Sequence, residues 1–352
     1  MQKQITIGNI GKIISRGEES LFMFKDEVVL ITGATGSWGQ ELTTQLLEKH
    51  PKKIIIFSRG ELAQVNMERK FRNSRLEFII GDVRDAAAVD RLFDNKQIDC
   101  VFHLAALKHV PVCENQPQEA IKTNIIGTTN LVNSAVRYKV KKFIDVSSDK
   151  AVSPTNLYGF TKAVGEKITI QANNLSNYTN FVCIRGGNVL GSNGSVVPLF
   201  VDQIKRFNKI TLTCGEMTRY FLTLSEAITL LFKAAEFSSG GETFVMNMPS
   251  FHISDLAEVL IEHYGNDKTA IEEIGIREGE KMHEVLISEH ESARSYVYDQ
   301  DYYVIMPEIK IAKDYEYIQA KEKVKFEKFS SMDNIKDKDY LKMLLNKGRF
   351  LS

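Results

Sequence analysis

Val28-Val29-Leu30-Ile31-Thr32-Gly33-Ala34-Thr35-Gly36-Ser37-Trp38-Gly39 is the stretch that decides the fold. A continuous β-branched run leads straight into three glycines, and a helical pattern follows over Leu42–Leu47. Gly33 permits the tight turn, Gly36 lets the backbone approach a pyrophosphate, and Gly39 lets the helix pack closely on the strand. The helix N-terminus then presents free N–H groups and a partial positive charge to the phosphates. A glycine-rich turn without a ligand is the competing reading. Strand before and helix after is the context that a dinucleotide loop requires.

The pattern outward from this loop alternates regularly. Strand-like runs occur at Val28–Thr32, Lys53–Phe57, Leu76–Ile80, Cys100–Leu104, Lys142–Val146 and Phe181–Ile184. Helical patterns lie between them, at Leu62–Phe71, Ala86–Phe93 and Ala120–Tyr138, with Asp85 ahead of one and Asp255 near the start of a later one. Apolar strands separated by amphipathic helices predict a parallel sheet covered on both faces. Right-handed crossovers make it an α/β, doubly wound, Rossmann-type fold. We expect residues 1–24 as an N-terminal extension and 25–185 as the dinucleotide-binding domain. Residues 186–307 read as a smaller mixed substrate lobe whose chain returns to the large domain. In 308–352 we expect an extended arm over 309–329, then a short helix carrying Leu341, Leu344 and Leu345.

Composition narrows the function. The chain has 352 residues, 43% apolar and 26% charged, and Lys+Arg and Asp+Glu both number 45. Zero net charge argues against a nucleic-acid or membrane-surface role. No apolar run approaches a membrane span, and no signal-peptide core opens the chain, so a cytoplasmic protein is expected. The cysteines Cys100, Cys113, Cys183 and Cys214 have no metal spacing, and three of them sit in apolar, strand-like surroundings. His103, His109 and His283 lack metal-type spacing and read as structural or supporting residues. No metal is expected.

The end of the second strand bears on which dinucleotide binds. An NAD site places an acid there for the ribose 2′-hydroxyl. Here the strand ends Ile56-Phe57-Ser58-Arg59, with no carboxylate before Glu61. Ser58 and Arg59 suit a 2′-phosphate, so NADP is favoured over NAD. Asp82, in Gly81-Asp82-Val83, suits the adenine amino group or a helix cap.

Tyr158-Gly159-Phe160-Thr161-Lys162 places a phenol and an ammonium one helical turn apart. A neighbouring Lys⁺ favours the phenolate, making Tyr158 a usable base for a hydroxyl being oxidised. Spacing alone is weak, because Tyr138, Tyr264 and Tyr317 also have a lysine four residues on. Position singles out Tyr158: it opens the helix after the fifth strand, at the sheet end where ligands of such folds bind. Directly after that strand come Ser147-Ser148-Asp149-Lys150-Ala151. Ser148 can hydrogen-bond the same hydroxyl, while Asp149 and Lys150 add an acid and a base that a simple alcohol dehydrogenase does not need. Asp145, a charge inside an apolar strand, requires a partner.

These stretches together resemble the extended short-chain dehydrogenase/reductases, and most closely the soluble inverting UDP-N-acetylglucosamine 4,6-dehydratases of the polysaccharide biosynthesis family. The resemblance rests on Thr32–Gly39, Gly81–Asp85, Ala105–Pro111, Lys122–Asn124, Ser147–Lys162, Gly187–Val189, Gly194–Pro198, Met217–Arg219 and Ile276–Glu284. It implies a redox-neutral lyase acting on a UDP-sugar in bacterial surface-glycan biosynthesis. Tyr158, activated by Lys162, would take the C4 hydroxyl proton as hydride leaves C4. Lys150 would remove the C5 proton while Asp149 protonates the departing C6 hydroxyl. For this Lys150 must be partly neutral, which burial beside Lys162 and a cationic nicotinamide is expected to arrange.

The resemblance also implies Ala105, Val83 and Thr123 as cofactor contacts beside the glycine loop. Lys108, Asn188 and Val189 look like substrate contacts, Arg219 and Arg277 like diphosphate clamps, and Glu280 like a ribose contact. It further implies a homo-oligomer, dimer or hexamer. The alternative is a UDP-N-acetylhexosamine 4-epimerase, which needs Tyr158 and Lys162 but not the Asp149–Lys150 pair.

Overall fold

A computed structural model describes residues 23–94, 96–192 and 194–351. Of the expected N-terminal extension, residues 1–22 lie outside the described residues. A nine-stranded sheet forms the centre, in the order β14-β15-β10-β6-β5-β4-β1-β2-β3. Its strands are β1 (Val28–Thr32), β2 (Lys53–Ser58), β3 (Leu76–Ile80), β4 (Cys100–His103), β5 (Lys142–Ser148), β6 (Asn180–Gly186), β10 (Thr243–Met246), β14 (Ser295–Val297) and β15 (Tyr302–Ile305). Strands β3 to β10 of that order pair parallel, and β15 and β14 add antiparallel at the far edge.

Successive residues of one strand serve opposite faces. Ile31, Ile56 and Phe102 pack with Leu42 and Leu46 of α1 (Ser37–Glu48). Leu30, Ile55, Val101 and Phe143 pack with Val89 of α3 (Ala86–Phe93) and Leu131 of α4 (Gly127–Arg137). A strand buried on both faces must be apolar at every position, which is why the runs show no alternation. Helix α2 (Glu61–Phe71) links β2 to β3, and α5 (Leu157–Gln171) follows β5. Asp85 caps α3, accepting from the N–H groups of Ala87 and Ala88 at 2.9 and 3.0 Å.

A smaller assembly lies over the strand ends. It contains β7 (Asn188–Val189), α6 (Val196–Phe207), β8 (Lys209–Leu212), β9 (Thr218–Leu222), β11 (Ser250–His252), α8 (Ile253–Tyr264) and β12 (Ala270–Glu273). Strands β7, β9 and β11 make one sheet, and β8 and β12 make another. Between them α7 (Leu224–Phe237) returns the chain to β10 of the large sheet. The C-terminal helix α9 (Lys338–Lys347) buries Leu341, Leu344 and Leu345 in this second core.

One expectation is refined and two need correction. The helix read over Ala120–Tyr138 is helical throughout but not uniform: Pro117–Ile121 runs into a π-helical turn at Lys122–Ile126 before α4. Such a turn re-aims side chains, and here Asn124 faces the loop after β4, where its Oδ1 accepts from the Leu107 N–H at 2.8 Å. Second, residues 309–329 are not simply an extended arm. They hold a helical turn at Glu316–Gln319, anchored by buried Ile311, Tyr315 and Ile318 that the surrounding lysines and glutamates obscure. Strand β16 (Phe329–Ser330) then pairs antiparallel with β13 (Val285–Ile287). Third, Cys100 and Cys183 are buried on strands, but Cys113 is buried on the short helix Val110–Asn115 and Cys214 is only half-buried in a loop. No described helix is long and apolar enough to cross a membrane.

Candidate active site

The carboxyl ends of β1, β2, β4, β5 and β6 open into a cleft of about 690 Å³. The glycine loop forms its floor. Gly33 has φ +68°, a left-handed conformation, and a Cβ there would stand 2.8 Å from the Ala105 backbone nitrogen. A Cβ on Gly39 would meet Ala34 Cα at 2.3 Å, so this glycine sets how closely α1 approaches β1. The N-cap of α1 is Gly36, which has no side chain to occupy the first-turn N–H groups. Ser37 and Trp38 complete this wall, and Ser58, Arg59, Asp82, Val83 and Ala105 continue it. Thr123 Oγ1 and Ser195 Oγ are buried beside the cleft without a hydrogen-bond partner. A cradle only glycine fits, a helix N-terminus without a side-chain cap and orphaned hydroxyls fit a dinucleotide phosphate and its ribose.

At the edge of the cleft, Arg59 is half-exposed and 3.9 Å from Asp82. Asp82 is engaged chiefly by Arg84, at 2.6 Å, and accepts from the Arg84 N–H at 3.0 Å. Burial works against its ionisation, but these bonds outweigh it and hold the carboxyl below its ordinary range. The helix cap is therefore Asp85, and Asp82 remains a cleft-lining acceptor.

The far end of the cleft carries Ser148, Lys150 and Tyr158 together with Lys108, Asn188 and Val189. A second cavity of about 220 Å³ adjoins it, sharing Lys150 and Asn188, and is lined by Arg219, Arg277 and Glu280. All the residues read as substrate contacts thus fall on two adjoining cavities. Asp149 and Lys162 lie just behind the walls, 1% and 4% exposed.

Asp149 turns its Oδ1 to both neighbours. It accepts from Ser148 Oγ at 2.7 Å and from Lys150 Nζ at 3.1 Å, while its Oδ2 is buried without a partner. Lys150 Nζ also stands 3.2 Å from Glu284 Oε1. Burial alone would push this amine down, but the two carboxylates outweigh it and Lys150 is held well above its ordinary value. The sequence reads Lys150 as partly neutral beside Lys162 and a cationic nicotinamide; without that nicotinamide, Asp149 and a second carboxylate, Glu284, keep the group an ammonium.

Lys162 is committed as well. Its Nζ lies 3.2 Å from Asp145 Oδ1, both side chains buried, which gives the lone strand charge its partner. Burial pushes Lys162 down, yet Asp145 and then Tyr158 hold it above its usual value. For Tyr158 burial wins: Lys162, Lys150 and Ser148 draw the phenol back, but it stays raised. Lys162 thus acts on Tyr158 in the expected direction, toward the phenolate, but does not prevail. The lysine's charge is shared with Asp145, and desolvation of the phenol exceeds what remains.

His103 is structural, as expected. Buried between Thr32 Oγ1 at 2.8 Å and Thr128 Oγ1 at 2.9 Å, it is pushed by desolvation to a pKa of about 4. His283 Nδ1 is 2.8 Å from Thr218 Oγ1. His109 lines the cleft. Sequence reasoning also missed Lys281, whose Nζ donates to the Val152 carbonyl at 2.6 Å in the second cavity, and Glu284. Both lie in the Ile276–Glu284 stretch that carries the resemblance, but on a loop without period far along the chain from Lys150, so nothing in their spacing gave them a role.

The model of the polysaccharide biosynthesis protein family matches residues 29–307. The chain is 42% identical over 293 residues to a UDP-N-acetylglucosamine 4,6-dehydratase (inverting) of Campylobacter jejuni, covering 82% of this chain and 85% of the relative. It is also 42% identical over 279 residues to a protein of Rickettsia prowazekii named UDP-glucose 4-epimerase, covering 78% of this chain and 81% of that one. Among solved structures, Pen from Bacillus thuringiensis is 39% identical with a TM-score of 0.87, covering 94% of this chain and 99% of that chain. With most of the Rossmann-type sheet, the glycine loop and both cavities inside the matched span, the chain belongs to the polysaccharide biosynthesis protein family, built on the extended short-chain dehydrogenase/reductase fold.

Proposed function

We propose that the protein is an NADP-dependent, C5-inverting 4,6-dehydratase of UDP-N-acetylglucosamine, acting in the synthesis of a surface glycan. One observation carries the reading. An acid and a base, Asp149 and Lys150, stand beside Ser148 and Tyr158 where the dinucleotide cleft meets the arginine-lined cavity. The large domain, residues 25–185, would hold the dinucleotide through Gly33, Gly36, Ser37, Trp38 and Gly39, with Arg59 and Ser58 on the 2′-phosphate. The lobe over 186–307 would hold the nucleotide sugar, Arg219 and Arg277 on the diphosphate. Arginine suits that role because its planar fork reads phosphate oxygens two at a time.

When bound, the nicotinamide supplies a hydride acceptor for C4, a hydride donor for C6 and a positive charge beside the phenol. With that positive charge added to Lys162 and Lys150, Tyr158 would ionise, and its phenolate takes the C4 hydroxyl proton, with Ser148 orienting that hydroxyl. The resulting ketone acidifies the C5 proton. Lys150 removes it, Asp149 donates a proton to the C6 hydroxyl, which leaves as water, and once C6 has regained a hydride a solvent-derived proton adds to C5 from the opposite face, inverting that centre. The resting pair is Asp149 carboxylate with Lys150 ammonium, whereas the step needs a carboxylic acid and an amine. The two states hold the same proton. It moves from Nζ to Oδ1 across the existing 3.1 Å contact, without exchange with solvent. Desolvation of the pair by a bound sugar favours the neutral form, since burying separated charges is costly.

Assembly is part of this reading. Ile126, Phe160 and Val164 expose apolar side chains on the helices after β4 and β5, suited to a copy of the same chain. The 4-epimerase reading shares Tyr158 and Lys162 but leaves Asp149 without a task. The Asp149→Asn variant separates them: the dehydratase loses product formation by at least a hundredfold. Full activity on UDP-N-acetylglucosamine in that variant would end this reading.

A further inference from the structure

We propose that Glu284 is a positioning residue of the reaction site, holding the Lys150 ammonium and the Arg219 guanidinium on one buried carboxylate. The proposal rests on the reading above only for what Lys150 does in catalysis. Glu284 is 3% exposed. Its Oε1 lies 3.2 Å from Lys150 Nζ and 3.8 Å from Arg219 Nε, and its Oε2 is buried with no hydrogen-bond partner. A carboxylate so buried persists as an anion only with cations against it.

The backbone at Glu284 is fixed from outside the site. Its N–H donates to Ser331 Oγ at 3.0 Å, and the Ser331 N–H donates to its carbonyl at 2.8 Å. Ser331 Oγ is in turn 2.6 Å from Thr218 Oγ1, the neighbour of Arg219. The C-terminal segment around β16 therefore sets where Glu284, and through it Lys150, stands. Arg219 adds to this by bonding the carbonyls of Thr218 and Met282 at 2.8 and 3.1 Å, so its guanidinium is also committed to the same corner.

The charged and titratable groups facing Lys150 are Asp149 on its own turn, Tyr158 from α5, Arg219 from β9, and Lys281 and Glu284 from the loop before β13. Tyr220 of β9 also faces the two carboxylates. Arg219 and Lys281 discourage a charge on Lys150, while Asp149 and Glu284 sustain it. Removing Glu284 leaves one carboxylate against two cations, and Lys150 then gives up its proton more readily. A close opposite charge is worth about one pH unit or more, which is about tenfold in the neutral fraction.

The test uses the full-length protein without ligand. Lysines are labelled with acetic anhydride between pH 7 and 10, and acetylation of Lys150 is read by mass spectrometry against exposed Lys139. In the Glu284→Gln variant Lys150 is expected to label about tenfold faster at pH 8 than in the parent protein, and Glu284→Asp to restore the parent rate. Equal Lys150 rates in the parent and Gln proteins overturn the proposal. Should the Gln variant not fold, the parent profile decides: Lys150 must reach half-maximal labelling at higher pH than Lys139, and an equal or lower value overturns it. None of this depends on turnover. A parent protein inert toward UDP-N-acetylglucosamine that still shows the labelling shift leaves Glu284 in place and removes the dehydratase reading.

Discussion

Replacing Asp145 by Asn keeps the shape of the side chain and removes its charge, leaving Lys162 buried without its carboxylate. Breaking a buried pair at one end costs about 3–5 kcal/mol, because the remaining charge stays desolvated. Titration sets a ceiling of similar size. Lys162 can discharge instead, and giving up a proton of reference pKa about 10.4 at pH 7 costs about 4.6 kcal/mol. Both routes are a large share of the roughly 5–15 kcal/mol that holds a folded protein together. At about 2 °C per kcal/mol in a chain this long, the melting midpoint should fall by roughly 6–10 °C at pH 7.

The pH dependence has a definite sign. In the parent protein Lys162 is held above its ordinary value, so its contribution is full below the unfolded pKa and lost as pH rises through the folded one. In the variant a depressed Lys162 makes the folded state gain stability as pH rises from 7 toward about 10.4. The gap between the two proteins should therefore narrow with rising pH, by up to about 1.4 kcal/mol per unit. Urea denaturation of both proteins at pH 7, 8.5 and 9.5 measures it. A variant as stable as the parent at pH 7, or a gap that widens with pH, would refute the buried ion pair.

Four further outcomes are expected. Arg59→Ala should weaken NADPH binding at least tenfold while changing NADH less than about threefold, by calorimetric titration; equal losses would assign Arg59 to the surface. A Cβ on Gly39 overlaps the Ala34 backbone, so Gly39→Ala should destabilise by about 1–3 kcal/mol and weaken dinucleotide binding, seen as a lower midpoint and a raised Kd. Tyr158→Phe should lower kcat by about 10²–10⁴ while the Kd for UDP stays within twofold. His103, depressed to about 4, binds its proton more weakly folded than unfolded, so stability should fall as pH drops from 6.5 toward 4. The loss reaches up to about 3 kcal/mol and should be reduced in His103→Gln, by denaturation at pH 7 and 5.

The sheet and its ligand-binding end were legible because their cues are local. A both-sides-buried strand is apolar at every position, and the glycines around Gly33 serve a turn whose geometry leaves no other choice. The cluster Ser148-Asp149-Lys150 and Tyr158 with Lys162 was legible for the same reason, lying on one strand end and the helix behind it. What escaped depends on distance along the chain. Glu284 reaches Lys150 only because β13 and β16 bring the C-terminal segment across, and Asp145 finds Lys162 only through the packing of α5 on β5. Proton affinities followed those hidden partners. Lys150 read as partly neutral because its second carboxylate was out of view, and the rise of Tyr158 comes from a burial that the spacing to Lys162 does not show. The π turn at Lys122–Ile126 escaped because the helix continues on both sides of it, and only the reach of Asn124 to Leu107 marks it.

Proton NMR of the purified protein with UDP-N-acetylglucosamine in D₂O, without added cofactor and then with NADP, tests the central claim most directly. The account predicts a new C6 methyl signal, deuterium at C5, and ring couplings of the inverted sugar. Formation of the galacto epimer without a methyl signal, or a methyl product with C5 unchanged, would contradict it.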